Sequence, residues 1–118
     1  MTTKIKTITI GIGVSHVTEA TRWYQTLLGN VEMVEPAPGT IELQLTENVW
    51  LQLDDTGYLE EGGGSSIIRL ETDDIEAKHQ IVKRLVPNLG AIEVVEGVIR
   101  YFDFNDPSGN RLSYYQMG

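Results

Sequence analysis

The sequence predicts an α+β protein made of two βαβββ modules in tandem. Three observations predict it. LGNVEMVE at residues 28–35 returns as LGAIEVVE at 89–96, a shift of 61 residues with five of eight positions identical. HVTEA (16–20) resembles DDIEA (73–77), and NVWLQL from Asn48 resembles NRLSYY from Asn110, a shift of 62. Similar offsets at three places, in the same order, mean that a unit of about 60 residues occurs twice. Strands and helices are mixed within each unit rather than alternating singly, which is α+β rather than doubly wound.

The first module, about residues 5–57, opens on KTITIGIGV (6–14). Ile8, Ile10, Ile12 and Val14 alternate with Thr7, Thr9, Gly11 and Gly13, so this is a strand with one buried face. Ser15 is placed to cap the helix that follows. From Val17 to Leu28 the apolar residues Val17, Ala20, Tyr24, Leu27 and Leu28 share one helical face, and Gly29 stops the helix. Three short strands follow near 31–35, 40–46 and 48–53, the first ending at the breaker cluster PAPG. EGGGSS is the joint between modules. The second module, about 65–118, has a strand at Ile67–Glu71 and a helix capped by Asp73 or Asp74 that runs to about Val86. Strands near 91–96, 98–104 and 110–116 complete it. Asp106-Pro107-Ser108-Gly109 is a turn by its chemistry: proline presets φ and glycine accepts φ > 0.

The bulk numbers bound the function. A chain of 118 residues suits one domain, and 41% hydrophobic with 22% charged residues is a soluble globular composition. With no cysteine, disulfides and thiolate metal sites are excluded. A net charge of −8 argues against nucleic acid and against an anionic membrane surface. The N-terminal stretch MTTKIKTITIGIGV shows neither a leader nor a spanning segment, which leaves a cytoplasmic location as the default.

If the helices cover one face of each sheet, alternation assigns the rest. Ile8, Ile10, Ile12, Val49, Leu51, Leu53, Ile68, Leu70, Leu112 and Tyr114 belong to the core. Thr7, Thr9, Gly11, Gly13, Trp50, Gln52, Ile67, Arg69, Glu71, Arg111, Ser113 and Tyr115 belong to the opposite face, joined by Glu42, Gln44 and Tyr101 or Arg100. That face is polar and aromatic. It is either a solvated or protein-binding surface, or the wall of a ligand cleft with a few polar anchors. Gly11 and Gly13 favour the second slightly, because strand glycines mark bends or the close approach of something else.

Three segments resemble one family. VSHVTEATRWYQTLLG carries an aromatic-tyrosine pair, Trp23-Tyr24, ahead of Leu28-Gly29. LETDDIEA opens the second module, and DPSGNRLSYYQ resembles the Asp-Pro-x-Gly-Asn turn of the vicinal oxygen chelate (glyoxalase/bleomycin resistance/dioxygenase) superfamily. The resemblance covers nearly the whole chain and implies two modules whose mixed sheets form a curved cleft. Many members bind a divalent metal there, through the first and last strand of each module. The matching places here are Thr9, Ile67 (or Ser66), Trp50 to Gln52, and Ser113 where glutamate is usual. Divalent ions want several histidine or carboxylate ligands in one shell, and these residues do not supply them. No metal and no other cofactor is therefore expected.

His16 reads as a capping or solvent residue, His79 as surface and Asp73-Asp74 as a helix cap. No nucleophile–base pair is legible. Arg69, Arg100 and Arg111 suit a forked contact to a carboxylate or phosphate, or surface salt bridges. The reading is a protein that binds a small aromatic or acidic molecule without metal through Thr9, Trp50, Gln52, Arg69, Tyr101, Arg111, Ser113 and Tyr115. The alternatives are a metal-dependent lyase, isomerase or dioxygenase of the same superfamily, and a structural or regulatory dimer without a small ligand. A homodimer is expected in each case.

Overall fold

The computed structural model describes residues 3–118; Met1 and Thr2, which open the stretch read above for a leader, lie outside them. The chain divides into two compact units, one ending at Gly62 and the other starting at Gly63. The first contains β1 (Ile8–Gly13), α1 (Val17–Leu28), β2 (Met33–Ala37), β3 (Thr40–Thr46) and β4 (Val49–Asp54). The second contains β5 (Ile67–Glu71), α2 (Ile75–Leu85), β6 (Glu93–Val95), β7 (Ile99–Asn105) and β8 (Arg111–Met117). Each is βαβββ, with strand order β1-β4-β3-β2 in one sheet and β5-β8-β7-β6 in the other. In each sheet the first strand runs parallel to the last, and the remaining pairs are antiparallel. Among the described residues no helix is long and apolar enough to cross a membrane.

In the first unit α1 packs on β3 and β4. Tyr24 and Leu27 on its inner face, with Leu43, Leu51 and Leu53 from the sheet, are almost wholly excluded from water. Burial of this kind is worth roughly 1.5–3 kcal/mol per large side chain. Ile12 shares that core, but Ile8, expected there, is 52% exposed. It opens the edge strand of its sheet, and α1 packs on β3 and β4 rather than on β1. Ser15 does not cap α1. The N-cap position is His16, whose side chain makes no cap bond. Instead the Asp55 carboxylate accepts the Val17 N–H at 2.8 Å, and Ser15 Oγ donates to Glu61. A carboxylate brought from a distant loop thus meets an orphan donor of the first turn. Gly29 closes the helix at φ 88°, as its position required.

In the second unit α2 lays Ile75 and Val82 on β7 and β8, over Phe102, Phe104, Leu112 and Tyr114. Asp74 is the capping residue, accepting the Ala77 N–H at 3.1 Å. Gln116 reinforces the cap by accepting from Ile75 N–H and donating to the Asp73 carbonyl. His79 is half-buried rather than on the surface. Its Nε2 lies 2.8 Å from the Gly90 carbonyl oxygen, and its ring meets Phe102 edge-on at 4.9 Å. Arg100 points to the helix side, paired with Glu76, so Tyr101 and not Arg100 belongs to the opposite face. β6 is only three residues long; a turn in which Val98 N–H donates to the Val95 carbonyl at 2.9 Å follows it directly.

Candidate functional site

The turn before β8 is built by one carboxylate. Asp106 Oδ1 accepts the N–H groups of Ser108 and Asn110, each at 2.9 Å, and Oδ2 accepts Asn110 Nδ2 at 2.9 Å. Gly109 takes φ 89°. Both Asp106 and Asn110 are buried. The turn therefore fixes where β8 begins, and alternation from there turns Arg111, Ser113, Tyr115 and Met117 away from α2.

The register orders this face into rows across the strands. Ile67, Arg111 and Asn105 form one; Arg69, Ser113 and Asp103 the next; then Glu71, Tyr115, Tyr101 and Glu93; and last Met117, Ile99 and Val95. Arg69 Nη1 donates to Ser113 Oγ at 3.3 Å and stands 3.9 Å from Asp103 Oδ1. Ser113 lies between these two longer side chains and is fully buried. Arg69 and Asp103 remain about half exposed, at 49% and 41%. Arg111 donates to the Ser65 carbonyl at 3.3 Å. Tyr101 and Tyr115 are half-buried neighbours in their row. Asp103 was missed by the sequence reading; only its place opposite Ser113, a matter of register, brings it in.

The first unit repeats the lattice. Thr9, Trp50 and Gln44 share a row, as do Gly11, Gln52, Glu42 and Val34. Gln52 Nε2 donates to Glu42 Oε2 at 3.0 Å. At the shift of 61 residues Gln52 corresponds to Ser113 and Glu42 to Asp103, so one polar pair recurs at the same place in both sheets. Trp50 is half-buried and Thr9 exposed. The approach that Gly11 and Gly13 anticipated comes from the chain's own segment 59–61. A Cβ on Gly13 would stand 2.5 Å from the carbonyl oxygens of Leu59 and Glu60, and one on Gly11 would stand 2.9 Å from Leu59 Cδ1. These glycines therefore speak for a self-contact rather than for a ligand.

All eight sequence-assigned residues thus lie on sheet faces opposite the helices: Thr9, Trp50 and Gln52 in the first unit, Arg69, Tyr101, Arg111, Ser113 and Tyr115 in the second. At the places where the family resemblance implies metal ligands stand Thr9, Trp50 to Gln52, Ile67 (or Ser66) and Ser113. This donor set contains no carboxylate, imidazole or thiolate, and does not fit a divalent shell. Among the described residues no three His, Cys, Asp or Glu side chains are gathered as such a shell requires.

Among the described residues three ionisable groups are shifted by their surroundings; the Glu76 carboxyl is held below the usual range by its own backbone N–H and then by Arg100. Hydrogen bonds hold the Asp54 carboxyl below the usual range, the largest from the Thr56 hydroxyl, then those from Thr40 and the Thr56 N–H, against some opposing desolvation. Asp54 thereby pins the end of β4 to β3. Burial pushes the Tyr114 phenol up to about 12.

No protein-family model matches the chain, and neither does any curated protein sequence. Solved structures do match. A glyoxalase/bleomycin resistance protein from Catenulispora acidiphila superposes with a TM-score of 0.76 at 19% identity, over 97% of this chain and 100% of that one. An antibiotic binding protein from a Streptomyces species gives 0.76 at 17% identity, with both chains covered in full at 100%. A lactoylglutathione lyase from Agrobacterium tumefaciens gives 0.72 at 16% identity, over 98% and 95%. The chain has the fold of these glyoxalase/bleomycin resistance proteins.

Proposed function

We propose that this protein binds a small aromatic or acidic molecule on the sheet faces opposite its helices, and does so without a metal. The row Arg69–Ser113–Asp103 beside Tyr101 and Tyr115 carries this reading. It sets a forked cation next to two aromatic faces, held by a fully buried serine and otherwise open to water. On that face Arg69 and Arg111 offer orientation and the tyrosines a contact that tolerates varied ligands, and Trp50 offers such a contact on the first unit's sheet face. The donor set at the family's metal positions supports binding rather than a metal-dependent lyase, isomerase or dioxygenase step. The similarity in fold to an antibiotic binding protein is in keeping with it.

The test is a tryptophan-emission titration of chelator-treated protein with a panel of aromatic acids and neutral aromatics. Trp50→Ala is expected to weaken binding by at least about tenfold, the scale of one lost aromatic contact in a half-buried site. Trp23→Phe serves as the control on the helix. A panel without any ligand, or binding indifferent to Trp50→Ala, Arg69→Gln and Tyr115→Ala alike, would sink the proposal.

A further inference from the structure

Charge is spread unevenly over the polar face of the second unit. Arg111 stands in one row, Arg69 and Asp103 in the next, and Glu71 and Glu93 at the two ends of the tyrosine row. Successive rows lie about 7 Å apart along the strands. The face therefore runs from a basic end to an acidic one, with the aromatic pair among the acids. Gly118 N–H donates to the Val98 carbonyl at 3.1 Å and Asp106 N–H to the Asn110 carbonyl at 2.9 Å. In an antiparallel ladder this register makes Tyr101–Tyr115 and Asp103–Ser113 non-hydrogen-bonded pairs, whose side chains stand closest.

Asp103 serves two neighbourhoods. It meets Arg69 across the buried Ser113 at 3.9 Å, a loose contact between half-exposed groups. It also lines a concavity of about 320 Å³ together with Glu93, Tyr101, Phe102, Gly90 and Ala91. Two carboxylates thus border one tyrosine, with a guanidinium beside them. A ligand carrying only an acidic group would take Arg69 from Asp103, leave that carboxylate unpaired and lie near Glu71 and Glu93, all of like charge. A ligand that also carries an ammonium group would give Asp103 and Glu93 a cation in exchange, beside the Tyr101 ring. The first unit lacks this arrangement. Gly11 stands across from Gln52 where Arg69 stands across from Ser113, and the Gln52 amide meets Glu42 in place of a guanidinium.

We infer that, granted the binding proposed above, the second unit's face takes an amphoteric ligand: an aromatic molecule whose acidic group is held by Arg69 and whose ammonium group is held by Asp103 and Glu93 beside Tyr101. Simple aromatic acids and aromatic amines are weaker ligands of the same face.

A ¹H–¹⁵N shift titration of the full chain tests this with three probes of similar shape: 4-(aminomethyl)benzoate, 4-ethylbenzoate and 4-methylbenzylamine. All three should move the Tyr101, Asp103 and Ser113 amides. The dissociation constant of 4-(aminomethyl)benzoate should lie at least about tenfold below those of the other two. Glu93→Gln with Asp103→Asn should abolish that advantage while 4-ethylbenzoate binds at least as well as to the parent, because Arg69 is then free of its internal partner. Both side chains are exposed, so the variant still folds. Arg69→Gln should weaken both benzoates. Equal affinity for the two benzoates, each weakened by Arg69→Gln, would overturn the amphoteric class and leave the acid-binding reading standing. An advantage that survives in Glu93→Gln/Asp103→Asn would overturn the roles given to these carboxylates. No shift on this face with any of the three probes would overturn both readings.

Discussion

Gly13→Ala is a local perturbation whose cost can be worked from the geometry. The new methyl would sit 2.5 Å from two carbonyl oxygens and 2.6 Å from the Glu60 carbonyl carbon, all backbone atoms that cannot rotate away. Ordinary contact needs roughly 3.4 Å or more, so segment 59–61 must retreat by nearly 1 Å. That retreat breaks the bridge between Gly13 and Glu61 and the Ser15–Glu61 hydrogen bond. Overpacking costs typically 1–3 kcal/mol and a lost hydrogen bond about 1 kcal/mol, so a loss of about 2–3 kcal/mol is expected. For a chain this size that lowers Tm by about 8–12 °C. Gly11→Ala is the internal control. Its methyl meets only the end of the Leu59 side chain, which can turn aside, and should cost less than about 1 kcal/mol. Urea unfolding followed by tryptophan emission is suited to the comparison, because Trp23 and Trp50 both lie in the first module. A Gly13→Ala midpoint within error of the parent, or a larger loss for Gly11→Ala, would refute the account of why these strand positions are glycine.

Three further outcomes are expected. Asp74→Ala removes the side-chain cap of α2 and should cost about 1 kcal/mol in urea unfolding. Arg69→Gln should change stability by less than about 1 kcal/mol, since its pair with Asp103 is half exposed and 3.9 Å long, while weakening acidic ligands by tenfold or more in the emission titration. Tyr114 ties stability to alkaline pH: its folded-state value near 12 exceeds the ordinary 10.0, so the unfolded chain loses its proton first. The contribution is whole below pH 10 and drains away between about 10 and 12. Thermal melts of Tyr114→Phe against the parent should therefore differ in their pH dependence over that window, the parent alone showing the extra fall.

What was legible in the sequence followed from periodicity and punctuation. The apolar stripe of α1 and the glycine after it placed both ends of the helix, and Leu112 and Tyr114 fixed by alternation which way Arg111, Ser113 and Tyr115 face. The internal repeat gave the βαβββ plan. What stayed hidden depends on contacts distant in sequence. Asp55, thirty-eight positions from Val17, takes over the cap that Ser15 was expected to supply. Nothing local marks segment 59–61 as the neighbour of Gly13. The charged stretch around His79 hid a ring packed on Phe102. Asp103 looks like a solvent residue until the β7–β8 register sets it across from Ser113. Ile8 obeys the alternation of its strand yet lies beyond the cover of the helix.

The central claim is that the polar faces recognise an organic molecule with their own side chains. Native mass spectrometry of chelator-treated protein tests it most directly, with an aromatic-acid panel offered before and after zinc, nickel, manganese or iron(II). Ligand adducts are expected on metal-free protein, unchanged by any of the metals and lost in Arg69→Gln. Adducts that form only once a metal ion is bound to each chain would contradict it.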